Sequence, residues 1–405
     1  MESIKTIYKI GRGPSSSHTM GPQKAAKMFR DNYPEASSFV VTLYGSLAAT
    51  GKGHMTDIAL MDVLTDGYSE NKDRVTILWE PETFLPEHPN GMRFQAYDEN
   101  RNLMGEQTIF SVGGGDISLT GKREKAEDLY RESTMEEIMA YCKNHGYSFW
   151  EYVYAHEDSD LEDYLAEVWR VMQEAVLRGL DNEGVLPGGL KVIRRASAYY
   201  QHSRSYHGSM QRRGFKFAYA LAVAEENASG GMIVTAPTCG SCGVLPGTLY
   251  HLKQSYDFSD KKIFKALATA GLIGTLIKTN ASISGAEVGC QGEIGTACSM
   301  ASAGATQLFG GSIAQIEYAA SIAMEHFLGL TCDPICGLVQ VPCIERNAFA
   351  VARSVDATQY ALMSDGTHIV SFDTVVEAMK QTGHDLPSLY KETAAGGLAV
   401  LLGKK

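Results

Sequence analysis

Residues 263–277 read Ile263-Phe-Lys-Ala-Leu-Ala-Thr-Ala-Gly-Leu-Ile-Gly-Thr-Leu-Ile277. Within them Ile263, Leu267, Ala270, Gly274 and Ile277 recur at the spacing of one helix face. Lys265, Thr269 and Thr275 interrupt the run, which falls short of the roughly 20 apolar residues a membrane helix needs. It therefore reads as a helix of a soluble core. Downstream, Ile313, Ile316, Ala320, Ala323 and Phe327 repeat the helical period. Residues 281–311, between the two, are dominated by Gly, Ala and Ser, which let helices approach closely. From about residue 161 the strand signal largely disappears, so 161–405 is expected to be an all-α domain.

Upstream the pattern changes. Residues 19–31 read as a helix after a Ser-rich turn, and 56–67 as a second one starting at Thr56 or Asp57. Phe39–Tyr44 and Arg74–Trp79 are rich in β-formers. Met92–Tyr97 and Leu103–Val112 flank the polar turn Asp98–Asn102 and predict a hairpin. Residues 1–115 are thus an α+β domain with a small sheet. The charge-rich 116–160 stretch reads as a helical linker. The fold class expected is an α+β N-terminal domain followed by an all-α C-terminal domain.

A chain of 405 residues exceeds one ordinary core, which agrees with two domains. Its 44% hydrophobic and 20% charged residues suit a soluble globular protein. A formal charge of -11 argues against nucleic acid or an anionic membrane as partner. The first residues, Met1–Tyr8, lack the apolar core of a secretory signal. Eight cysteines without secretory features read as reduced thiols, placing the protein in the cytoplasm.

Three of those cysteines occupy glycine- or proline-rich phrases: Cys290 in Gly-Cys-Gln-Gly-Glu, Cys332 in Thr-Cys-Asp-Pro and Cys343 in Val-Pro-Cys-Ile-Glu-Arg-Asn. Three thiolates with no fourth partner suit a catalytic metal centre, since a structural site fills all four positions. Pro342 places Cys343 at a helix N-terminus, where the helix dipole favours thiolate. Buried free thiols are the simpler explanation of the same residues. The gaps of 41 and 10 residues match no generic metal motif.

Other phrases carry chemistry too. Gly11-Arg-Gly-Pro-Ser-Ser-Ser-His-Thr-Met-Gly-Pro22 gathers Ser15, Ser16, Ser17 and His18 before a helix, a set suited to gripping an anion. His54 lies in a loop between strand and helix, where an imidazole can serve as general base. His88 and His207 are further loop histidines. Thr235-Ala-Pro-Thr-Cys-Gly-Ser-Cys-Gly-Val-Leu-Pro246 contains the pair Cys239 and Cys242. It can be a redox pair, half a zinc site, part of a cluster or a tight turn; a loop presenting backbone N–H groups to a carboxylate is the favoured reading. Glu287, Gln291 and Glu293 bracket Cys290 as groups that orient ligands or satisfy helix ends.

Four phrases, in this order, resemble the iron–sulfur-dependent L-serine dehydratases (L-serine ammonia-lyases) of bacteria. They are Gly13-Pro-Ser-Ser-Ser-His-Thr-Met-Gly-Pro22, Gly45-Ser-Leu-Ala-Ala-Thr-Gly-Lys-Gly-His54, Ser284-Gly-Ala-Glu-Val-Gly-Cys-Gln-Gly-Glu293 and Gly337-Leu-Val-Gln-Val-Pro-Cys-Ile-Glu-Arg-Asn347. The resemblance spans almost the whole chain. It implies a [4Fe–4S] cluster on Cys290, Cys332 and Cys343, with the fourth iron facing the substrate, L-serine. It implies that Ser15–His18 and His54 project toward that cluster, with His54 as base and His18 beside it. Ser15, Ser16, Ser17, Thr238, Gly240 and Asn280 are the expected substrate contacts. A homodimer is implied as well.

The chain departs from the family at two places. It ends Gly-Lys-Lys, without the terminal cysteine that caps the open iron in many relatives. It also carries Cys239 and Cys242 where relatives often have Asn and Ala, which leaves L-threonine and L-cysteine open as substrates. A non-catalytic amino-acid sensor with thiol-bound zinc is the reading from another class.

Overall fold

A computed structural model describes residues 1–65, 73–122, 128–392 and 396–403. The chain divides into two compact units, Met1–Gly11 with Ala126–Lys405, and Arg12–Lys125.

Among the described residues the smaller unit's sheet holds five strands: β2 (Ser38–Tyr44), β3 (Val75–Glu80), β4 (Gly91–Tyr97), β5 (Leu103–Gly113) and β6 (Asp116–Ser118). β1 (Ile10–Arg12) precedes them in the chain. The sheet order is β3-β2-β4-β5-β6, with β2 and β3 parallel and the other neighbours antiparallel. A parallel pair needs a crossover, and the chain between β2 and β3 carries the helices Gly45–Thr50 and Thr56–Leu64. Phe39, Val41 and Leu43 alternate along β2 toward one face, as strand geometry requires. There they join Met92, Phe94 and Ile109 under the helices Gly21–Asn32 and Thr56–Leu64.

The expected elements appear with shifted edges. The first helix is preceded by one wide π-type turn, Ser16–Met20, and the second ends at Leu64. The proposed extension of that helix to 66–67 lies outside the described residues. The hairpin of β4 and β5 is present.

The described residues of the larger unit are mostly helical, with a two-stranded pairing of β1 with β7 (Met232–Val234). At its centre Thr296–Leu308 packs against Val244–Tyr256, Asp260–Asn280, Ile313–Glu325 and Cys343–Leu362. Small side chains permit this crowding. A Cβ on Gly304 would lie 3.0 Å from the Ala266 carbonyl. Stretch 263–277 is the buried part of Asp260–Asn280, every residue from Ala266 to Ile277 being buried. No described helix is long and apolar enough to cross a membrane.

The division into units differs from the expected 1–115, 116–160 and 161–405. Residues 116–118 are an edge strand of the sheet. Met135–His145 and Phe149–His156 are packed helices of the larger unit: Asp373 accepts from the N–H groups of Met135 and Glu136, and Phe149–His156 packs on Asp260–Asn280. The opening residues also belong there. Ile4, Ile7 and Tyr8 are fully buried, and Tyr8 Oη donates to the Leu267 carbonyl at 2.7 Å. Gly271 makes room for them, since a Cβ there would meet Ile4 Cβ at 2.9 Å.

Candidate metal centre and histidine pair

The three cysteines converge within the larger unit. Cys290 follows the short helix Gly285–Val288 and Gly289, which has φ +77°, a value glycine adopts without strain. A Cβ at Gly289 would also lie 2.7 Å from the Leu330 carbonyl. Cys332 is pinned by its backbone: its N–H donates to the Tyr390 carbonyl and its carbonyl accepts from Glu392, both at 2.8 Å. Cys343 is the first residue of the helix Cys343–Leu362, directly after Pro342.

Glu293 lies among them. Its Oε2 is 3.8 Å from Cys290 Sγ and 3.9 Å from Cys332 Sγ. The donor atoms of Cys290, Glu293 and Cys332 all fall within 4.8 Å of one another. Thr238 Oγ1 donates to Glu293 Oε1 at 2.7 Å, which brings the 235–246 loop to the cysteines. Gly240 lies against the same carboxylate, and its carbonyl accepts from Asn347 Nδ2 at 2.7 Å. Gly285 completes the cradle: a Cβ there would lie 2.7 Å from Glu293 Oε2 and 3.2 Å from Cys332 Sγ.

The electrostatics are those of a cation site. Contact with Cys290 and then burial push the Cys332 thiol up. Burial, then Cys290 and Glu293, push Cys343 up well above the usual thiol range. The helix N-terminus at Cys343 does not overcome that crowding. Burial also raises Glu293. Arg346 keeps its charge despite burial because Cys290 and Cys343 face it. It braces the Cys332 loop by donating to the Thr331 carbonyl at 2.7 Å. Several acidic groups around one arginine cannot all ionise unless a metal compensates them. Three soft sulfurs are the donor type that iron–sulfur clusters use, so the residues present fit such a group.

In the smaller unit the two expected histidines meet. His18 and His54 have ring centroids 4.8 Å apart at 39°. The Ser-rich turn holds His18: Ser15 Oγ caps its N–H at 3.1 Å, and Ser17 Oγ lies 2.9 Å from Nδ1. Ser46 Oγ is 3.1 Å from Nε2. Thr19 Oγ1 donates to the His54 carbonyl, and Thr56 Oγ1 to the His18 carbonyl. Burial and the neighbouring His54 push His18 down to about 3. Burial lowers His54 as well, opposed by its bond to Thr50. A carbonyl only accepts, so His54 Nδ1, 3.2 Å from the Thr50 carbonyl, carries the proton. Nε2 of the neutral ring is therefore the basic nitrogen.

Other expected residues have different surroundings. Asn280 Nδ2 donates to the carbonyls of Ser133 and Leu276. His88 Nδ1 accepts from the Asn90 N–H, and His207 sits at the exposed start of the helix Gly208–Ala228. Gln291 braces backbone, accepting from Gly329 and Thr382, while Glu287 accepts from Ser282. Cys239 and Cys242 form a buried tight turn, the Cys242 N–H reaching the Cys239 carbonyl at 3.2 Å. Ser46 and Arg346 stand within the family phrases without a chemistry that singles them out. Their polar character inside Gly- and Pro-rich phrases was the available signal.

Residues 3–75 match the family model of the serine dehydratase beta chain, and residues 92–399 that of the alpha chain. The chain is 41% identical to an L-serine dehydratase of Haemophilus influenzae and 42% identical to the L-serine dehydratase TdcG of Escherichia coli, covering 99% of both chains in each case. It is 41% identical to an L-serine dehydratase of Streptomyces coelicolor, over 98% of each. With both segments present in one polypeptide, the chain belongs to the serine dehydratase family.

Proposed function

We propose that this chain is a cytoplasmic L-serine dehydratase that converts L-serine to pyruvate and ammonia, with a [4Fe–4S] cluster held by Cys290, Cys332 and Cys343. The observation that carries the reading is the convergence of those thiols with Glu293. When bound, the cluster supplies a Lewis-acidic iron that assists departure of the β-hydroxyl.

The chain's residues supply the rest. His54 Nε2 accepts the α-proton of serine. His18, kept neutral by burial, packs beside that base, with Ser17 and Ser46 fixing its ring. Loss of hydroxide from Cβ leaves aminoacrylate, which hydrolyses to pyruvate and ammonia. Thr238 and Gly240 line the carboxylate side of the cysteine group, and Ser15–Ser17 supply hydroxyls to the substrate's anionic end.

Anaerobic purification, iron and sulfide analysis and a pyruvate assay on L-serine test the proposal together. Replacing Cys290, Cys332 or Cys343 with Ala is expected to remove iron and activity alike. Full activity in a preparation free of inorganic sulfide would end the cluster reading. A colourless, inactive zinc protein would favour the sensor instead. The Thr238–Glu293 bond places the Cys239–Cys242 turn near the cysteines. This is the observation that keeps L-threonine and L-cysteine as alternatives, and comparing keto-acid release from the three amino acids decides.

A further inference from the structure

Between Glu183 and Glu225 the chain carries seven Lys and Arg residues and no Asp or Glu, although its net charge is -11. Two of the seven are neutralised within the fold: Arg194 pairs with Glu226 at 2.8 Å, and Arg195 lies 3.8 Å from Glu345. Arg212, Arg213 and Lys216 have no such partner among the described residues. They stand in the first half of the helix Gly208–Ala228, where Arg212, Lys216 and Tyr219 share one face. Arg212 and Arg213 are exposed, whereas Lys216 is only 9% exposed.

The helix Val244–Tyr256 packs on the same helix. The Tyr219 ring lies 4.9 Å from Tyr250, edge to face, and 6.4 Å from the imidazole of His251, which is 5% exposed. Tyr200, on the preceding helix Ala196–Ser205, lies 6.1 Å from Tyr219. The polar ends of this group are an ammonium, three phenols and an imidazole, all able to donate. Among the described residues none of these five side chains makes a hydrogen bond or ion pair within the chain.

The polar ends act on one another. Burial, then Tyr200 and Tyr250, raise the Tyr219 phenol, so it remains a donor. Burial, then Lys216 and Arg212, bring His251 down to about 4, so the ring is neutral and offers one N–H. Burial also pulls Lys216 down; Asp356 on the helix Cys343–Leu362 counters it, and Arg213 and Arg212 add to it. Three cations against the one carboxylate of Asp356 leave two positive charges beside the neutral donors. Buried polar groups are paired in native proteins, so a set of donors this large without partners calls for a bound acceptor. A dianion rich in oxygen balances both the charge and the donors, and phosphate is the group that Arg and Lys hold through charge-assisted hydrogen bonds.

We propose that Lys216, His251, Tyr219 and Arg212 form a binding site for a phosphate dianion, free or borne by a small phosphorylated molecule. The site is separate from the cysteine centre, since Asp356 stands 13 positions after Cys343 on one helix, about 20 Å along its axis. Calorimetric titration of the anaerobically purified full chain with inorganic phosphate, and separately with glycerol phosphate, tests it, with circular dichroism as the check on folding. Binding with a dissociation constant of about 1 mM or below is expected. Binding of inorganic phosphate identifies the free ion as sufficient, and binding of the ester alone identifies a phosphorylated molecule. Lys216→Gln should weaken binding by roughly tenfold or more, because hydrogen bonds to charged groups are the strong ones. Tyr219→Phe keeps the ring and its packing and should weaken binding severalfold, so the proposal stays testable if the lysine variant misfolds. Iron content should be unchanged in both. Failure of both probes to bind at about 10 mM overturns the proposal. So does binding that persists unaltered in the folded variants, or binding of an RNA oligonucleotide in place of both small anions.

Discussion

Thr238 Oγ1 and Glu293 Oε1 are joined by a 2.7 Å hydrogen bond, and the other oxygen of that carboxylate lies within 4 Å of two cysteine sulfurs. One hydroxyl therefore couples the Gly/Pro-rich loop to the group of donors. Thr238→Val keeps the shape and removes the donor. Hydrogen bonds to charged groups contribute about 1.5–3 kcal/mol. A fall of at least about tenfold in kcat/KM for L-serine is expected, with iron content unchanged. Unaltered kinetics would make the bond incidental.

Gly285 leaves no room for a methyl group, because its Cβ would crowd Glu293 and Cys332. Gly285→Ala should fold but hold less iron after anaerobic purification. Iron per chain measures this directly, and normal loading would show that the cradle yields.

His54→Ala removes the proposed base without touching a cysteine. Base catalysis contributes roughly 10²–10⁴ in rate, so kcat should fall by about that factor while visible absorption of the metal centre persists. A variant with near-normal turnover would move the role to another residue.

Acid should destabilise the smaller unit. His18 is held neutral down to about pH 3, whereas an unfolded histidine gains its proton near pH 6.5. Below 6.5 the unfolded chain binds the extra proton, so stability falls as pH drops through that window. The slope is about 1.4 kcal/mol per pH unit for one such group. Above 6.5 this contribution is flat. Urea midpoints from pH 7 to 4 should decline, and His18→Asn should flatten the decline.

Much of the fold was legible because local pattern determined it. The alternation Phe39, Val41, Leu43 announced a strand with one buried face, and stretch 263–277 announced a buried helix. Pro342 announced the helix start that bears Cys343. What escaped was long-range. Nothing local tells that Ile4, Ile7 and Tyr8 fill a groove at Gly271, or that residues 116–118 add a strand to a sheet begun at Ser38. The cysteines were visible as phrases, but the meeting of Thr238 with Glu293 brings together residues 55 apart in sequence. The histidines stand out by their chemistry; Ser46, which holds one of them, does not, because a hydroxyl in the first turn of a short helix has many ordinary uses.

The burial of Tyr8 against Leu267 bears on how the protein is made. These partners are 259 positions apart, so Tyr8 leaves the ribosome well before Leu267 and must wait for the intervening chain to be translated. A break between the two family segments, after residue 75 and before 92, would leave β1 and Tyr8 on one polypeptide and their partners β7 and Leu267 on the other. The two fragments would then be stitched together by a borrowed strand and should travel as one species.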